Sequence, residues 1–237
     1  NHGDIGGVKV RPTFRADQRF KENAAKSELE KRLDYFAEKG CKIADYGFDF
    51  VSENDENLIW LIENCYKRKM ILQLHFGTFR NVNARMYEAC GKDSGFDIMR
   101  GAIDTDKLAK ILDRENKRLG GLPKIVVYPL NDYDLRALGA LTGAFPQVKL
   151  GAAWWFNDTV NGIKRQLETA AEYSALGTQY GMLTDSRSFS SYVRFDFYRR
   201  ILSSFIGERV ENGEYDEAAA IALARKIAYE NIKAALL

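Results

Sequence analysis

The chain reads as an α/β protein built on a parallel sheet, and three observations carry that reading. Short apolar or β-branched runs alternate with longer helical patterns along the 237 residues, as right-handed βαβ units require. The run through Ile125, Val126 and Val127 is continuously β-branched, the mark of a strand covered on both faces. Polar and charged residues stand late in successive runs, where a barrel carries its site.

The predicted strands lie at 8–14, 42–48, 70–76, 124–130, 148–155 and 181–184. After the first, Ser27 opens an amphipathic helix through Leu29, Leu33 and Phe36, which Gly40 ends. Leu58, Ile59, Leu61, Ile62 and Cys65 form the next apolar stripe. Helical patterns follow at 104–119, 132–142, 162–175 and 192–211. An Ala-rich one at 214–237 is expected to pack outside the sheet.

Two architectures meet this alternation. A doubly wound open sheet usually places a glycine fingerprint after its first strand. Here the glycine cluster at 3–7 precedes a strand and cannot cradle a pyrophosphate there. A barrel instead predicts chemistry at the C-terminal strand ends. Arg15 follows the first run, Asp45 lies in the second and His75 near the end of the third. Tyr128 lies late in the fourth, Trp154 and Trp155 in the fifth, and Asp185 and Arg187 follow the sixth. An eight-stranded barrel needs two more strands. Either the sheet is open, or the first two β/α units are missing or divergent.

Composition narrows the function classes. Hydrophobic residues make up 46% and charged residues 29%, which argues against bulk disorder. Lys and Arg total 35 against 33 Asp and Glu, a net charge of +2, so there is no electrostatic footprint for nucleic acid. The cluster Lys67-Arg68-Lys69 reads as a solvated helix end. No apolar run approaches the ~20 residues that span a bilayer, so no membrane partner is expected. The N-terminal residues lack the charged-then-apolar order of a signal peptide. Cys41, Cys65 and Cys90 are scattered, which suggests reduced thiols in a cytoplasmic protein. The sequon at Asn157 carries little weight in that setting.

Each candidate site residue has a plainer reading. A lone His after a strand is more often a satisfied core residue than a ligand. A lone Asp there is more often a helix N-cap, and Trp154-Trp155-Phe156 is more often core than a sugar platform. Coincidence favours the functional reading. With parallel strands, Arg15, Asp45, His75, Arg80, Asp185 and Arg187 converge on one rim, and such clustering is costly unless a ligand or metal organises it. Arginines clamp carboxylate or phosphate, and His with Asp can bind a divalent metal or move protons. An anionic, hydroxylated small substrate fits this set. A catalytic zinc usually takes three protein ligands, yet the chain has only His2 and His75 and neither HxH nor HExxH spacing.

The stretches GAAWWFNDTVNGIKRQLE and GMLTDSRSFSSYVRFDFYRRIL closely resemble uronate isomerases, the glucuronate isomerase branch of the amidohydrolase superfamily. RPTFRAD, GCKIADYG, LQLHFGTFRNVNARM, DSGFD and LPKIVVYPLN agree in order. The resemblance runs from about Val8 onward. It implies a distorted (β/α)8, TIM-type barrel with strands three to eight represented here, residues 1–237 forming a single barrel domain. The implied activity is aldose–ketose isomerisation of D-glucuronate to D-fructuronate, or of D-galacturonate to D-tagaturonate, through a cis-enediol.

By the same resemblance Asp185 of the TDSR block sits at a metal, and Arg187 binds or polarises substrate. His75 of the QLH block lies near both. Arg80, Arg15, Asp45 and Trp154 are assigned to substrate binding. Zinc or another divalent metal is implied, with Asp185 and His75 as ligands. The family's HxH motif lies upstream of this chain, so further ligands are expected from outside it. A metal-dependent hydrolase of the same superfamily and an inactive sugar-acid binding homologue are the alternatives. A homo-oligomer is compatible with all of these readings.

Overall fold

The computed structural model describes residues 3–5, 7–49, 51–186 and 188–237. Up to the second half of the sheet the elements are β1 (Gly3–Ile5), β2 (Val8–Val10), β3 (Thr13–Arg15), α1 (Asp17–Lys21), α2 (Lys26–Glu38), β4 (Ile43–Phe48), α3 (Glu56–Arg68) and β5 (Ile71–Phe76). Then come β6 (Thr78–Phe79), α4 (Ala84–Cys90), β7 (Ile98–Met99), α5 (Thr105–Leu119), β8 (Ile125–Pro129), α6 (Asp132–Ala144) and β9 (Val148–Leu150). The chain closes with α7 (Val160–Tyr173), α8 (Val193–Glu211), α9 (Glu217–Arg225) and α10 (Asn231–Leu236). The main sheet has the order β3-β4-β5-β8-β9. The residues divide into two compact units, Asn1–Phe76 with Ile103–Val127, and Gly77–Ala102 with Tyr128–Leu237.

In the first unit β3, β4 and β5 run parallel, with Arg15 opposite Asp45 and Gly47 opposite His75. Side chains alternate across a strand, and here the alternation separates two chemistries. Phe14, Ala44, Tyr46, Leu72, Leu74 and Phe76 are all buried, while Asp45, Gln73 and His75 are half-buried and Arg15 is exposed. The apolar stripe of α3 supplies buried Leu58, Leu61, Ile62 and Cys65, and α5 supplies Leu108, Ile111 and Leu112. Asp55 caps α3 by accepting from the Asn57 and Leu58 amides, and Asp104 caps α5 by accepting from Lys107.

Burial of Cys65 has a measurable consequence. Desolvation pushes its thiol from the usual 9.0 up to about 12, and Cys41 is raised by the same cause. A thiol reagent at mildly alkaline pH is therefore expected to label exposed Cys90 in the folded chain and all three cysteines after denaturation. The sign for stability follows. The unfolded thiol ionises first, so stability is intact below its unfolded pKa and falls as pH rises from about 9 toward about 12. Tyr46, whose phenol is raised by burial, adds in the same direction. Fast labelling of Cys65 in folded protein would contradict this packing.

The second unit has its own core, in which Ile163, Leu167, Leu202, Phe205, Ile206 and Ile227 are almost fully buried. Three expectations of strand structure are corrected. The run at 8–14 is two strands, because Pro12 offers no N–H to a ladder. Val8–Val10 instead pairs antiparallel with Gly3–Ile5. The run at 181–184 is not a strand. Gly181 takes φ +74, and a side chain there would meet the Ile227 carbonyl oxygen at 2.7 Å. The backbone lies close against the C-terminal helices rather than in a ladder. The run at 148–155 is shorter than expected, ending as a strand at Leu150. A Cβ at Gly151 would fall 2.2 Å from the Tyr128 ring, so the aromatic ring occupies that space. The helix expected over 214–237 is α9 and α10 joined by a wider π turn at Lys226–Glu230. Asn231 pins α10 by donating to the Gly177 and Gln179 carbonyls, both at 2.8 Å.

Candidate active site

Three of the predicted site residues come together in the first unit. The His75 ring carries Nδ1 3.0 Å from Asp45 Oδ1 and Nε2 3.3 Å from Arg15 Nη2. A carboxylate accepts and a guanidinium donates. Nδ1–H therefore donates to Asp45, and Nε2 accepts from Arg15. Arg15 Nη1 also faces Asp45 Oδ2 at 3.6 Å. The side chains of Asp45 and His75 are each 18% exposed, while Arg15 is 54% exposed. This is a charged, hydrogen-bonded cluster with a half-exposed guanidinium, suited to an anionic or hydroxylated ligand.

Two residues of this cluster were not read from the sequence. Asp17 holds Arg15 through Oδ2, which accepts from Nε at 2.9 Å and faces Nη2 at 2.8 Å. Its Oδ1 accepts from the Gly47 amide at 3.3 Å. Gly47 lies beneath the His75 ring, and an added Cβ would be 2.5 Å from Nε2. A short acid following PTFRA reads simply as first-turn charge of a helix. Only the strand register shows otherwise.

Arg80, Trp154 and Asp185 belong to the second unit. Arg80 pairs with Asp97 at 2.9 Å, and its guanidinium lies 4.9 Å from the Trp155 ring centre. Asp97 also accepts from the Asn81 amide at 2.8 Å, and Asp93 faces the same Arg80 Nη1 at 3.5 Å, so the segment after β5 holds Arg80 through two acids. Trp154 is buried and donates its indole N–H to the Pro129 carbonyl at 3.1 Å. Asp185 is exposed and sits at φ +45, in the left-handed region. Arg187 lies outside the described residues.

Among the described residues no group of three or more His, Cys, Asp or Glu side chains could hold an ion. The Nε2 lone pair of His75 already faces a guanidinium. The described residues do not by themselves fit a zinc centre.

A family model described as glucuronate isomerase matches residues 51–235. This chain belongs to the glucuronate isomerase family. It is 35% identical to the uronate isomerase of Serratia proteamaculans over 86% of its own length and 51% of that protein. It is 34% identical to that of Mannheimia succiniciproducens over 90% of this chain and 53% of the relative. The chain thus spans about half the length of the curated relatives it matches. Its fold matches the uronate isomerase crystal structure from Thermotoga maritima with TM-score 0.87 at 26% identity, covering 98% of this chain and 63% of that one. The glucuronate isomerase from Caulobacter crescentus matches with TM-score 0.83 at 24% identity, over 96% and 58%. The α/β architecture is therefore that of the uronate isomerases, represented in part. No helix among the described residues is long and apolar enough to cross a membrane.

Proposed function

We propose that this chain serves the isomerisation of a uronate, D-glucuronate to D-fructuronate or D-galacturonate to D-tagaturonate, through a cis-enediol. The cluster of Arg15, Asp45 and His75 on adjoining strands carries the reading, together with the family. The reaction moves a proton between C2 and C1 and rearranges the protons on O1 and O2. It needs a base, a group that stabilises the enediolate and an anchor for the distant carboxylate. In this reading Arg15 and Arg80 anchor the carboxylate and hydroxyls. His75 stands at the carbonyl end, with Asp45 holding its Nδ1–H, and Nε2 takes a hydroxyl proton once the bound uronate draws the Arg15 guanidinium away from it. Asp185 transfers the carbon-bound proton, and Arg187 stabilises the enediolate. Trp154 is assigned to substrate binding in the same reading.

The reading assigns the chain to a cytoplasmic protein that acts on a small sugar acid. Nucleic acid and membrane play no part in it. The divalent ion the family resemblance implies, zinc by expectation, would draw most of its ligands from outside the described residues. Zinc titrated calorimetrically into this chain is expected to bind weakly. A tight four-coordinate site made wholly from this chain would overturn that.

The substrate class is tested by the ring signals of His75. D-glucuronate or D-galacturonate is expected to shift them saturably, and neutral D-glucose is not. Conversion of D-glucuronate by the intact protein, followed by proton NMR, tests the chemistry. An equal response to D-glucose, or none to either uronate, would remove the anion-anchor reading.

A further inference from the structure

We infer that Asp17 and Gly47 are positioning residues of this site, which together place the Arg15 guanidinium across β4 against His75 and hold the imidazole as its Nδ1–H form. What reaction this serves rests on the isomerase reading above; the placement itself does not.

Arg15 and His75 stand on β3 and β5, with β4 between them. Neighbouring strands lie ~4.8 Å apart, so a direct contact must cross the whole width of β4. A side chain on the middle strand, opposite His75, would stand in the way. That position is Gly47. Its φ lies outside the left-handed region that favours glycine, so backbone conformation does not call for glycine there. Space does, since a Cβ would fall 2.5 Å from Nε2 and 3.0 Å from Cε1 of His75.

The crossing also needs a long side chain held in one direction. Arg15 is 54% exposed, and a free arginine there would lose considerable rotamer entropy on being fixed. Asp17 fixes it. One carboxylate oxygen takes Nε and Nη2, and the other takes the Gly47 amide. The acid thereby ties the arginine to the strand it must cross. Nη2 carries two hydrogens, one directed to Asp17 and the other to His75 Nε2. Asp17 is not spent on the helix it opens, since α1 has Ala16 at its N-cap and no side-chain cap.

The test uses a favourable composition, because His2 and His75 are the chain's two histidines. In His2→Gln protein labelled with ¹⁵N, long-range ring correlations report His75 alone. The expected wild-type pattern is a protonated Nδ1 and an unprotonated Nε2. Asp17→Asn weakens the grip on Arg15 and is expected to shift the ring signals toward the Nε2–H form that free imidazole prefers, against the pull of Asp45 on Nδ1–H. Asp17→Glu should recover part of the wild-type pattern. Gly47→Ala should displace the ring from Asp45 and shift the same signals. Should that variant fail to fold, the two Asp17 variants, which leave β4 unaltered, carry the test.

An unchanged tautomer in folded Asp17→Asn would overturn the inference. A changed tautomer with a raised KM for uronate, little change in kcat and recovery by Asp17→Glu upholds both this inference and the isomerase reading. A changed tautomer in a protein whose His75 signals ignore uronates upholds the positioning and overturns the isomerase reading.

Discussion

Replacing His75 by Ala is expected to lower uronate turnover by about 10²–10⁴-fold, the range for losing a positioned acid–base group. The variant is expected to fold. His75 lies on the half-open face of the sheet, while the packing of β5 rests on Leu72, Leu74 and Phe76 on the other face. Removing the ring leaves Asp45 facing Arg15 at 3.6 Å, so the carboxylate keeps a cation. The stability cost should stay near 1–2 kcal/mol, the range for a half-buried polar deletion. His75→Asn separates the two nitrogens. Its amide can donate to Asp45 where Nδ1–H does, but it offers no acceptor at Nε2. Wild-type stability with the activity of the Ala variant is therefore expected. Turnover within about threefold of wild type in His75→Ala would reduce the residue to a structural role.

The largest expected stability effect lies in the second unit. Phe205 is 1% exposed and packs among Leu202, Ile206 and the other core side chains of that unit. Arg209 lies over its ring at 3.6 Å and donates to its carbonyl at 2.8 Å. Phe205→Ala is expected to cost about 3–5 kcal/mol, from lost transfer free energy and the cavity left behind. It also removes the ring under the guanidinium. Phe205→Leu keeps most of the volume and should cost roughly 1.5 kcal/mol or less. Urea unfolding followed by circular dichroism measures both. A loss under about 1 kcal/mol for the Ala variant would mean that α8 repacks freely and that this core is not close-packed.

Local pattern was enough wherever a residue's own neighbourhood fixes its state. The runs that became β4 and β5 alternate buried apolar residues with polar or small ones, the run that became β8 is continuously apolar, and the helices that became α3 and α5 carry one apolar stripe and basic last turns. Arg15, Asp45 and His75 were legible as a set because a strand end followed by a helix is visible in sequence, and parallel strands put such ends on one side. The LTDSRS and WWFND blocks carried the family by their length alone.

Other features depended on partners distant along the chain. The segment 181–184 has strand-like composition, yet a strand exists only with a ladder partner, and Gly181 instead lies against Ile227. The excursion between β5 and α5 has strands of two residues each, too short for any period to show. The long C-terminal helix is interrupted at Lys226–Glu230, where Ile227 is fully buried. Asp17 and Gly47 escaped notice for the same reason. Their importance lies in the register that sets Gly47 opposite His75 and Arg15 opposite Asp45. Sequence determined which side chains can do chemistry and on which elements they stand. Tertiary structure decided which of them touch, because contact across three strands depends on register and on the missing side chain at one glycine, over which the His75 ring lies, and neither is a property of any local window.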